Sequence, residues 1–336
     1  MSAPTRRSAL CAAALALAML AGCATEPPPP AEPTTVRVNI FRTSSNIHLF
    51  MALERGSFAR HGIRPEIQFT PNSTAQRNGL AAGKFDIAHA AVDNAVAMIE
   101  VAKHDVVIVS GGDSGMNWVL VRPEITNIAQ LRGRTYVVDA PNTAYALMGR
   151  KILKDAGLVD GKDYKLNPLG GADLRVKAFD TPDGAATLLN PPWSNILRER
   201  GARSLGRTLD LFGPYQAGGM FVMRNWAKAN EGLLVRYLAA YIEGCRAVQD
   251  PANRAQTIAL LQKVFELSQR IAEETYTELL TPGHGMSKDC AFDLPGFRNV
   301  LALRAEMEGQ WGGKPPAPDR FIDLSYFERA MRIARR

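Results

Sequence analysis

Leu80-Ala81-Ala82-Gly83-Lys84-Phe85-Asp86-Ile87-Ala88 is the stretch that decides the fold of this chain. A helical pattern ends at its glycine, and a continuous apolar run over 85–90 then predicts a strand. A strand that is apolar on both sides is typical of a parallel sheet covered by helices on both faces. The stretch therefore favours an α/β fold over an all-helical or all-β one.

The same alternation extends to both sides of this stretch. Upstream, the pattern predicts strands over 36–41 and 63–70, with a helix between them that closes near Gly62. Downstream, a helical stripe over 92–102 precedes a strand over 106–110. Strand and helix thus alternate through the first third of the chain, which is the sequence signature of strand–helix–strand units.

The alternation starts again after Pro123 and gives way to helices beyond Trp226. A strand is predicted over 118–121, and the capping residues Pro141-Asn142-Thr143 open a long helix. We therefore expect two α/β lobes with a helical C-terminal region that packs back on the first. The predicted first lobe is 36–121 with 217–336, and the predicted second lobe is 122–216.

The N-terminus has the pattern of a lipoprotein signal. Arg6-Arg7 precedes an apolar run that is too short to span a bilayer and stops at Leu20-Ala21-Gly22-Cys23, which resembles a lipobox. We expect a signal peptide over 1–22, lipid attachment at Cys23 and a proline-rich tether over 23–35. The alternative is an ordinary secretory signal with an incidental cysteine.

Charge and cysteine content restrict the classes of function. Loss of Arg6 and Arg7 with the signal lowers the formal charge from +7 by two, to +5, and the acids alternate with the bases, so nucleic acid is not an expected partner. Cys245 and Cys290 remain as a pair that an oxidising compartment could join. Cys245 lies on an apolar helical stripe where a buried thiol needs no partner, so we expect both thiols to be free.

Several motifs in order resemble one family. They are Thr43-Ser44-Ser45 after the first strand, Arg60-His61-Gly62-Ile63, the opening stretch 80–88, Ile128-Ala129-Gln130-Leu131-Arg132-Gly133-Arg134 and Ile152-Leu153-Lys154-Asp155-Ala156-Gly157-Leu158. Together they resemble periplasmic solute-binding proteins of the nitrate, sulfonate and taurine type, a group that includes proteins handling the thiamine pyrimidine precursor. The resemblance covers nearly all of 36–332.

The resemblance implies a type II periplasmic binding fold, in which two lobes joined by two crossovers clasp one ligand. It implies delivery of that ligand to an ABC permease and its ATPase, on the periplasmic side of the cell envelope, by a monomer without a cofactor. A ligand sensor for a membrane signalling partner would use the same fold. The sequence is compatible with a role in transport or in sensing. It is also compatible with attachment to the inner or to the outer membrane.

Candidate ligand contacts follow from strand ends, because ligands of open α/β sheets bind beyond the carboxyl ends of the strands. Asp93 and Asp113 would orient a donor-rich or cationic ligand, or else are solvated loop acids. Asn142 has an equal claim as a plain helix cap. The candidate contacts are Ser45, Asn46, His89, Asp93, Asn94, Asp113, Asn142, Thr143, Asn190, Trp193 and Tyr215.

The residue types at these strand ends indicate the ligand class. No arginine precedes Arg122 in the strand-end segments, so an oxyanion would be held by amides and hydroxyls alone. That disfavours nitrate or a simple sulfonate. Amide, carboxyl and aromatic side chains instead favour a planar, hydrogen-bonding organic ligand such as a heterocycle or an aromatic compound.

Catalysis is the competing class. Gly112-Asp113-Ser114-Gly115 resembles the serine loop of trypsin-like proteases, but the sequence supplies no matching histidine context. The five histidines lack metal-ligand spacing, and the cysteine-rich iron site of the thiamine-pyrimidine synthases is missing from the sequence. We therefore expect a binding protein and neither an enzyme nor a metalloprotein.

Overall fold

Two five-stranded mixed sheets with helices on their faces form the protein in the computed structural model, which describes residues 32–182 and 184–335. The expected α/β fold is confirmed. Within these described residues, no helix has the length and apolar character needed to traverse a bilayer.

The first sheet is mostly parallel. Its strands are β1 (Thr34–Ile40), β2 (Ile63–Phe69), β3 (Ile87–Ala91), β4 (Val106–Asp113) and β10 (Gly218–Met223). They lie in the order β2-β1-β3-β10-β4, and β10 runs antiparallel to both of its neighbours. We call this sheet and its helices the first lobe.

The second sheet repeats this plan. Its strands are β5 (Trp118–Val121), β6 (Thr135–Val138), β7 (Lys165–Pro168), β8 (Ala186–Leu189) and β9 (Arg203–Arg207). They lie in the order β7-β6-β8-β5-β9, with β5 antiparallel to β8 and β9. We call this sheet and its helices the second lobe.

Fourteen α-helices are found in the described part of the chain. Four follow strands of the first lobe and four belong to the second, whereas the last six come after β10. They are α1 (Ile47–Glu54), α2 (Ser57–Arg60), α3 (Ser73–Ala81), α4 (Asp93–Glu100), α5 (Ala144–Asp155), α6 (Ala172–Lys177), α7 (Trp193–Glu199), α8 (Thr208–Phe212), α9 (Arg224–Ala229), α10 (Glu231–Gln249), α11 (Arg254–Phe265), α12 (Gln269–Leu279), α13 (Leu294–Glu308) and α14 (Ser325–Ile333).

The core of the first lobe lies between its sheet and the returning helices. Val36, Val38 and Ile40 alternate along β1 and are completely buried, as the period of two in the sequence predicts. They share one apolar cluster with Tyr237 and Ile242 of α10, which packs against α1 and α14. The long helix α10 therefore covers one face of the first sheet.

The C-terminal helices also reach the second lobe. Helix α13 packs on α5, where Arg150 Nη1 lies 2.6 Å from Glu308 Oε1 and Lys154 Nζ lies 3.2 Å from Glu306 Oε1. The chain beyond β10 thus contacts both lobes, in addition to the packing on the first lobe that the sequence pattern suggested.

The sheet pairing moves the first crossover by a few residues from the sequence expectation. Strand β5 pairs within the second sheet, so the chain leaves the first lobe between Asp113 and Trp118 instead of after Val121. It returns between Phe212 and Gly218. The reason is that β5 is apolar on both faces and suits either sheet, so only its hydrogen-bonded neighbours decide its lobe.

The expectation that the two late cysteines are free is wrong. Cys245 of α10 is bonded to Cys290, with 6.1 Å between their Cα atoms. Cys245 does lie on the buried stripe of α10, but the fold brings a second cysteine to the same place. The signal peptide, Cys23 and the tether lie outside the described residues, apart from the end of the tether next to β1.

Candidate ligand-binding site

A cavity lies between the two lobes where the carboxyl ends of their strands face each other. Its volume is about 80 Å³. Its first-lobe wall includes Phe41 after β1, His89 to Ala91 of β3 and Asp113 at the end of β4. Its second-lobe wall includes Asp139 after β6 and Asn190 after β8. This is the position at which open α/β sheets bind ligands.

Most of the sequence-predicted contacts are brought together at this cavity. Within each lobe they come from separate strand ends that meet at one edge of the sheet, and the two edges face each other across the cavity. The predicted contacts that line the cavity are Ser45, Asn46, His89, Asn94, Asp113, Thr143 and Asn190. The others, Asp93, Asn142, Trp193 and Tyr215, lie outside its lining.

Asp93 and Asn142 belong to a buried polar network beside the cavity. The guanidinium of Arg304 on α13, which is completely buried, pairs with Asp93, and its Nη2 also lies 2.8 Å from Asn142 Oδ1. A buried carboxylate requires such a partner. The sequence reasoning placed Asp93 by its strand end but could not anticipate an arginine 211 positions away.

Trp193 and Tyr215 have other packing roles. The indole Nε1 of Trp193 donates to the carbonyl of Arg42 at 2.7 Å, which joins the two lobes outside the cavity. The Tyr215 side chain is buried in the core that runs through both lobes. Neither ring faces the space that a ligand would fill.

Asp113 is held in place by a glycine on the adjacent strand. Its Oδ1 accepts from the Gly115 amide at 2.6 Å, and Gly218 of β10 pairs opposite it. A Cβ at position 218 would lie 1.9 Å from Asp113 Oδ2, so this close approach requires glycine. Burial raises the pKa of Asp113 to about 6, although the hydrogen bonds from Gly115 and Ser45 oppose the shift.

Two neutral histidines form the floor of the cavity. Burial lowers the pKa of His48 to about 3, and it lowers that of His89 well below its ordinary value with a smaller contribution from His48. His89 Nε2 lies 3.1 Å from the Tyr237 hydroxyl. Neither ring nitrogen of His48 has a hydrogen-bond partner among the described residues. His48 therefore keeps one donor and one acceptor for a ligand.

Arg175 is the main cavity residue that the sequence reasoning missed. It lies on α6, one turn after the Gly170-Gly171 turn, and its side chain reaches inward so that Nη1 donates to the Leu188 carbonyl at 2.6 Å. Burial lowers its pKa, and Asp139 acts in the opposite direction. A search that extended one helical turn beyond each strand end would have included it. Other missed lining residues are Phe41, His48, Asp139, Tyr145 and Tyr241.

The lobes contact each other around the cavity, so the structure is the closed form. The amide and hydroxyl of Ser44 both donate to the Pro191 carbonyl, at 3.2 and 2.7 Å. The Gly171 amide donates to the Pro71 carbonyl at 2.9 Å, and Arg77 Nη1 donates to the Asn142 carbonyl at 2.9 Å. These bonds join groups from opposite lobes and would break if the lobes separated.

The acidic, histidine and cysteine side chains of the described segments form no cluster that could hold a metal ion. What the cavity does offer is a set of buried carboxylate, amide, imidazole and guanidinium groups around an enclosed space. Such an arrangement can bind a small polar organic molecule.

Comparison with known proteins identifies the family of the chain. The sequence profile described as the NMT1-like family matches residues 29–262. No curated protein matches the chain.

Solved structures share the fold. The periplasmic nitrate-binding protein NrtA of Synechocystis PCC 6803 is 15% identical with a TM-score of 0.75, and the match covers 90% of this chain and 89% of that one. The alkanesulfonate-binding protein SsuA of Xanthomonas axonopodis pv. citri, bound to MOPS, is 19% identical with a TM-score of 0.69, and the match covers 85% of this chain and 96% of that one. The ligand-binding component of an ABC-type import system of Staphylococcus aureus, with zinc bound, is 13% identical with a TM-score of 0.72, and the match covers 88% of this chain and 99% of that one.

Proposed function

The chain belongs to the NMT1-like family, and from this membership we propose that it is the solute-binding component of an ABC import system. The two-lobed periplasmic-binding fold that the sequence motifs implied is confirmed. The observation that carries the proposal is the closed cavity between the lobes, whose walls hold buried polar groups without partners. Such groups are costly to bury unless a ligand pairs with them.

The ligand that we propose is one small organic molecule that forms hydrogen bonds, with a heterocyclic or aromatic body as the preferred form. Aromatic and imidazole rings of Phe41, His48, Tyr145 and Tyr241 line the cavity and can pack against a planar ligand. A cavity volume of about 80 Å³ suits a molecule with a single ring. The protein would bind this molecule and release it chemically unchanged.

The partners follow from the proposed role. A binding protein of this kind works as a monomer that closes on its ligand and presents the closed form to a permease and its ATPase. The Cys245–Cys290 disulfide supports a location on the oxidising, periplasmic side of the cell envelope, because structural disulfides persist in that compartment.

A thermal-shift screen of the purified domain from residue 33 onward against small metabolites tests the binding function. A ligand at one hundred times its dissociation constant adds about 2.7 kcal/mol to the free energy of unfolding. Mass spectrometry of the recovered compound is expected to show its original mass. A new product would move the protein to the enzyme class, and a screen in which no compound raises the melting temperature would contradict the proposal.

Lipid attachment at Cys23 is the second part of the proposal, and it rests on the lipobox pattern Leu20-Ala21-Gly22-Cys23. We expect Cys23→Ser to abolish incorporation of labelled lipid and to release the protein from the membrane fraction. Cys11→Ser, in the segment that the signal peptidase would remove, is the matched control and should change neither result. Membrane association that persists in Cys23→Ser would contradict lipid anchoring.

A further inference from the structure

Arg175 is a buried cation without a partner of opposite charge. Only 5% of the residue is exposed, Nη1 donates to the neutral carbonyl of Leu188, and Nε has no hydrogen-bond partner among the described residues. Within that part of the chain no carboxylate lies close enough to form an ion pair with it, although Asp139 lines the same cavity. A buried guanidinium in this state is strongly favoured to bind an anionic oxygen group.

The first-lobe wall has the opposite chemistry. Asn94 is 2% exposed, and its Nδ2 donates to Ser73 Oγ at 3.1 Å, which leaves Oδ1 without a partner. Asp113 adds a buried carboxylate to the same wall. Both groups accept hydrogen bonds, so this wall is suited to a ligand group that donates them.

The charges of the cavity disfavour a ligand that is only an anion or only a cation. A plain anion would meet Arg175 but would also lie in a small space with the carboxylates of Asp113 and Asp139. A plain cation would leave Arg175 unpaired. A molecule with both groups satisfies the two walls at once. Tyr145 lines the same cavity, and both Asp113 and Arg175 affect its pKa.

We infer that the ligand is dipolar, with an anionic oxygen group bound to Arg175 on the second lobe and an N–H donor bound to Asp113 and Asn94 on the first. This inference rests on the proposed function and specifies its substrate class. Because the two groups are held by different lobes, such a molecule also links the lobes in the closed form. A compound that lacks either group would lose its contacts with one wall of the site and bind more weakly.

Titration calorimetry with matched compounds tests the inference. The probes are 3-aminobenzoate, 4-aminobenzoate and 4-aminobutanoate, each compared with the acid that lacks the amine and with the corresponding carboxamide. We expect at least one amino acid of this set to bind about tenfold more tightly than both of its truncated analogues, as expected for an unpaired buried polar group. If no probe prefers both groups, the inference is overturned.

Variants locate the two groups on the wild-type scaffold. Arg175→Met is expected to remove the preference for the acid over its carboxamide, and Arg175→Lys, which keeps the charge, should retain part of that preference. Asp113→Asn should reduce the preference for the amine-bearing acid over the acid without an amine. Arg200→Met changes an exposed second-lobe arginine that pairs with Asp180 and should leave every affinity as in the wild type.

The outcome separates this inference from the proposed function. If carboxamides bind as well as acids and Arg175→Met weakens both to the same degree, the dipolar ligand is wrong while binding between the lobes stands. If neither these probes nor the metabolite screen raises the melting temperature, both fail. Circular dichroism of each variant confirms that a lost preference does not reflect an unfolded protein.

Discussion

Asp113 lies in the proposed binding cavity, and its burial there disfavours its ionised form. It lies in the cavity wall, its position depends on the absence of a side chain at Gly218, and it is only 3% exposed. Its surroundings favour the neutral acid over the carboxylate, because burial outweighs the hydrogen bonds that it accepts. A hydrogen-bond donor on the ligand would stabilise the buried carboxylate. Asp113 therefore destabilises the ligand-free protein and contributes to ligand binding.

The ionisation of Asp113 predicts a pH-dependent stability. Its pKa of about 6 in the folded protein exceeds the reference value of 3.8, so its favourable contribution is fully present below pH 3.8 and is lost as pH rises through 6. The loss amounts to about 3 kcal/mol for a shift of this size. Asp113→Asn stays neutral, and its melting temperature relative to the wild type is therefore expected to rise between pH 4.5 and pH 7.5.

Differential scanning calorimetry of the ligand-free protein checks this prediction. Asp319→Asn, an exposed aspartate in the C-terminal region, is the control, and its difference from the wild type should stay constant over the same range. A difference for Asp113→Asn that is also constant with pH would contradict a pKa of about 6 for Asp113 in the folded protein.

The disulfide connects the element that covers the first sheet to the segment that borders the site. Cys245 belongs to α10, and Cys290 ends a segment whose Ser287 amide donates to the Gly112 carbonyl at 2.9 Å. Met286, which lies in the same segment as Cys290, forms a β-bridge with Asp113 at the end of β4. The bond therefore fixes α10 and the edge of β4 together, next to the carboxylate in the cavity wall.

Removal of the disulfide is expected to lower the free energy of unfolding and to leave the secondary structure unchanged. Its cysteines are 45 positions apart, and the chain-entropy relation for a loop of that length gives about 4 kcal/mol. Cys245→Ala with Cys290→Ala should lower the urea midpoint accordingly and leave the far-ultraviolet circular dichroism unchanged. Wild type treated with reductant should approach the double variant, which itself should not respond to reductant.

Alkylation supplies the decisive control for the disulfide. Iodoacetamide added to the unfolded, unreduced protein is expected to modify neither Cys245 nor Cys290, and a linked peptide should be recovered by mass spectrometry. Alkylated Cys245 and Cys290 in that experiment would show two free thiols and would remove the basis of the stability prediction.

Polar contacts outside the cavity hold the two lobes together. Ser44, Gly171 and Arg77 each donate to a carbonyl of the opposite lobe. Arg304 adds a half-buried bond from α13 to Asn142 of the second lobe. The closed form is thus stabilised by backbone carbonyls that are available in any ligand state, and the ligand has to supply only the remainder of the closing free energy.

Arg77→Met is expected to shift the protein toward the open form without changing the cavity lining. The variant loses one bond between the lobes, worth about 0.5–1.5 kcal/mol, so affinity for the ligand found in the screen should fall about twofold to twelvefold. Small-angle scattering should give a larger radius of gyration for the ligand-free variant than for the wild type. Arg64→Met, an exposed first-lobe arginine, is the control. Equal scattering curves for all three proteins would contradict a role for Arg77 in closure.

The fold and much of the cavity lining follow from local sequence pattern. Apolar runs with a period of two and stripes with a period of 3.6 predict strands and helices in order, and parallel strands then place their carboxyl ends at one edge. For this reason the strand ends predict Asp113 and Asn94 at one edge of the first sheet, and Asn190 at the corresponding edge of the second. Strand β9 escaped prediction because it is a half-exposed edge strand with a polar sequence.

The pairing of side chains depends instead on how distant elements pack. Asp93 has the sequence position of a ligand contact, but α13 brings Arg304 to it, and Cys245 has the pattern of a buried free thiol, but the fold brings Cys290 beside α10. Arg175 points into the cavity because α6 packs against the second sheet. These pairings join residues from distant parts of the chain, and local periodicity carries no information about which distant group will fill a given site.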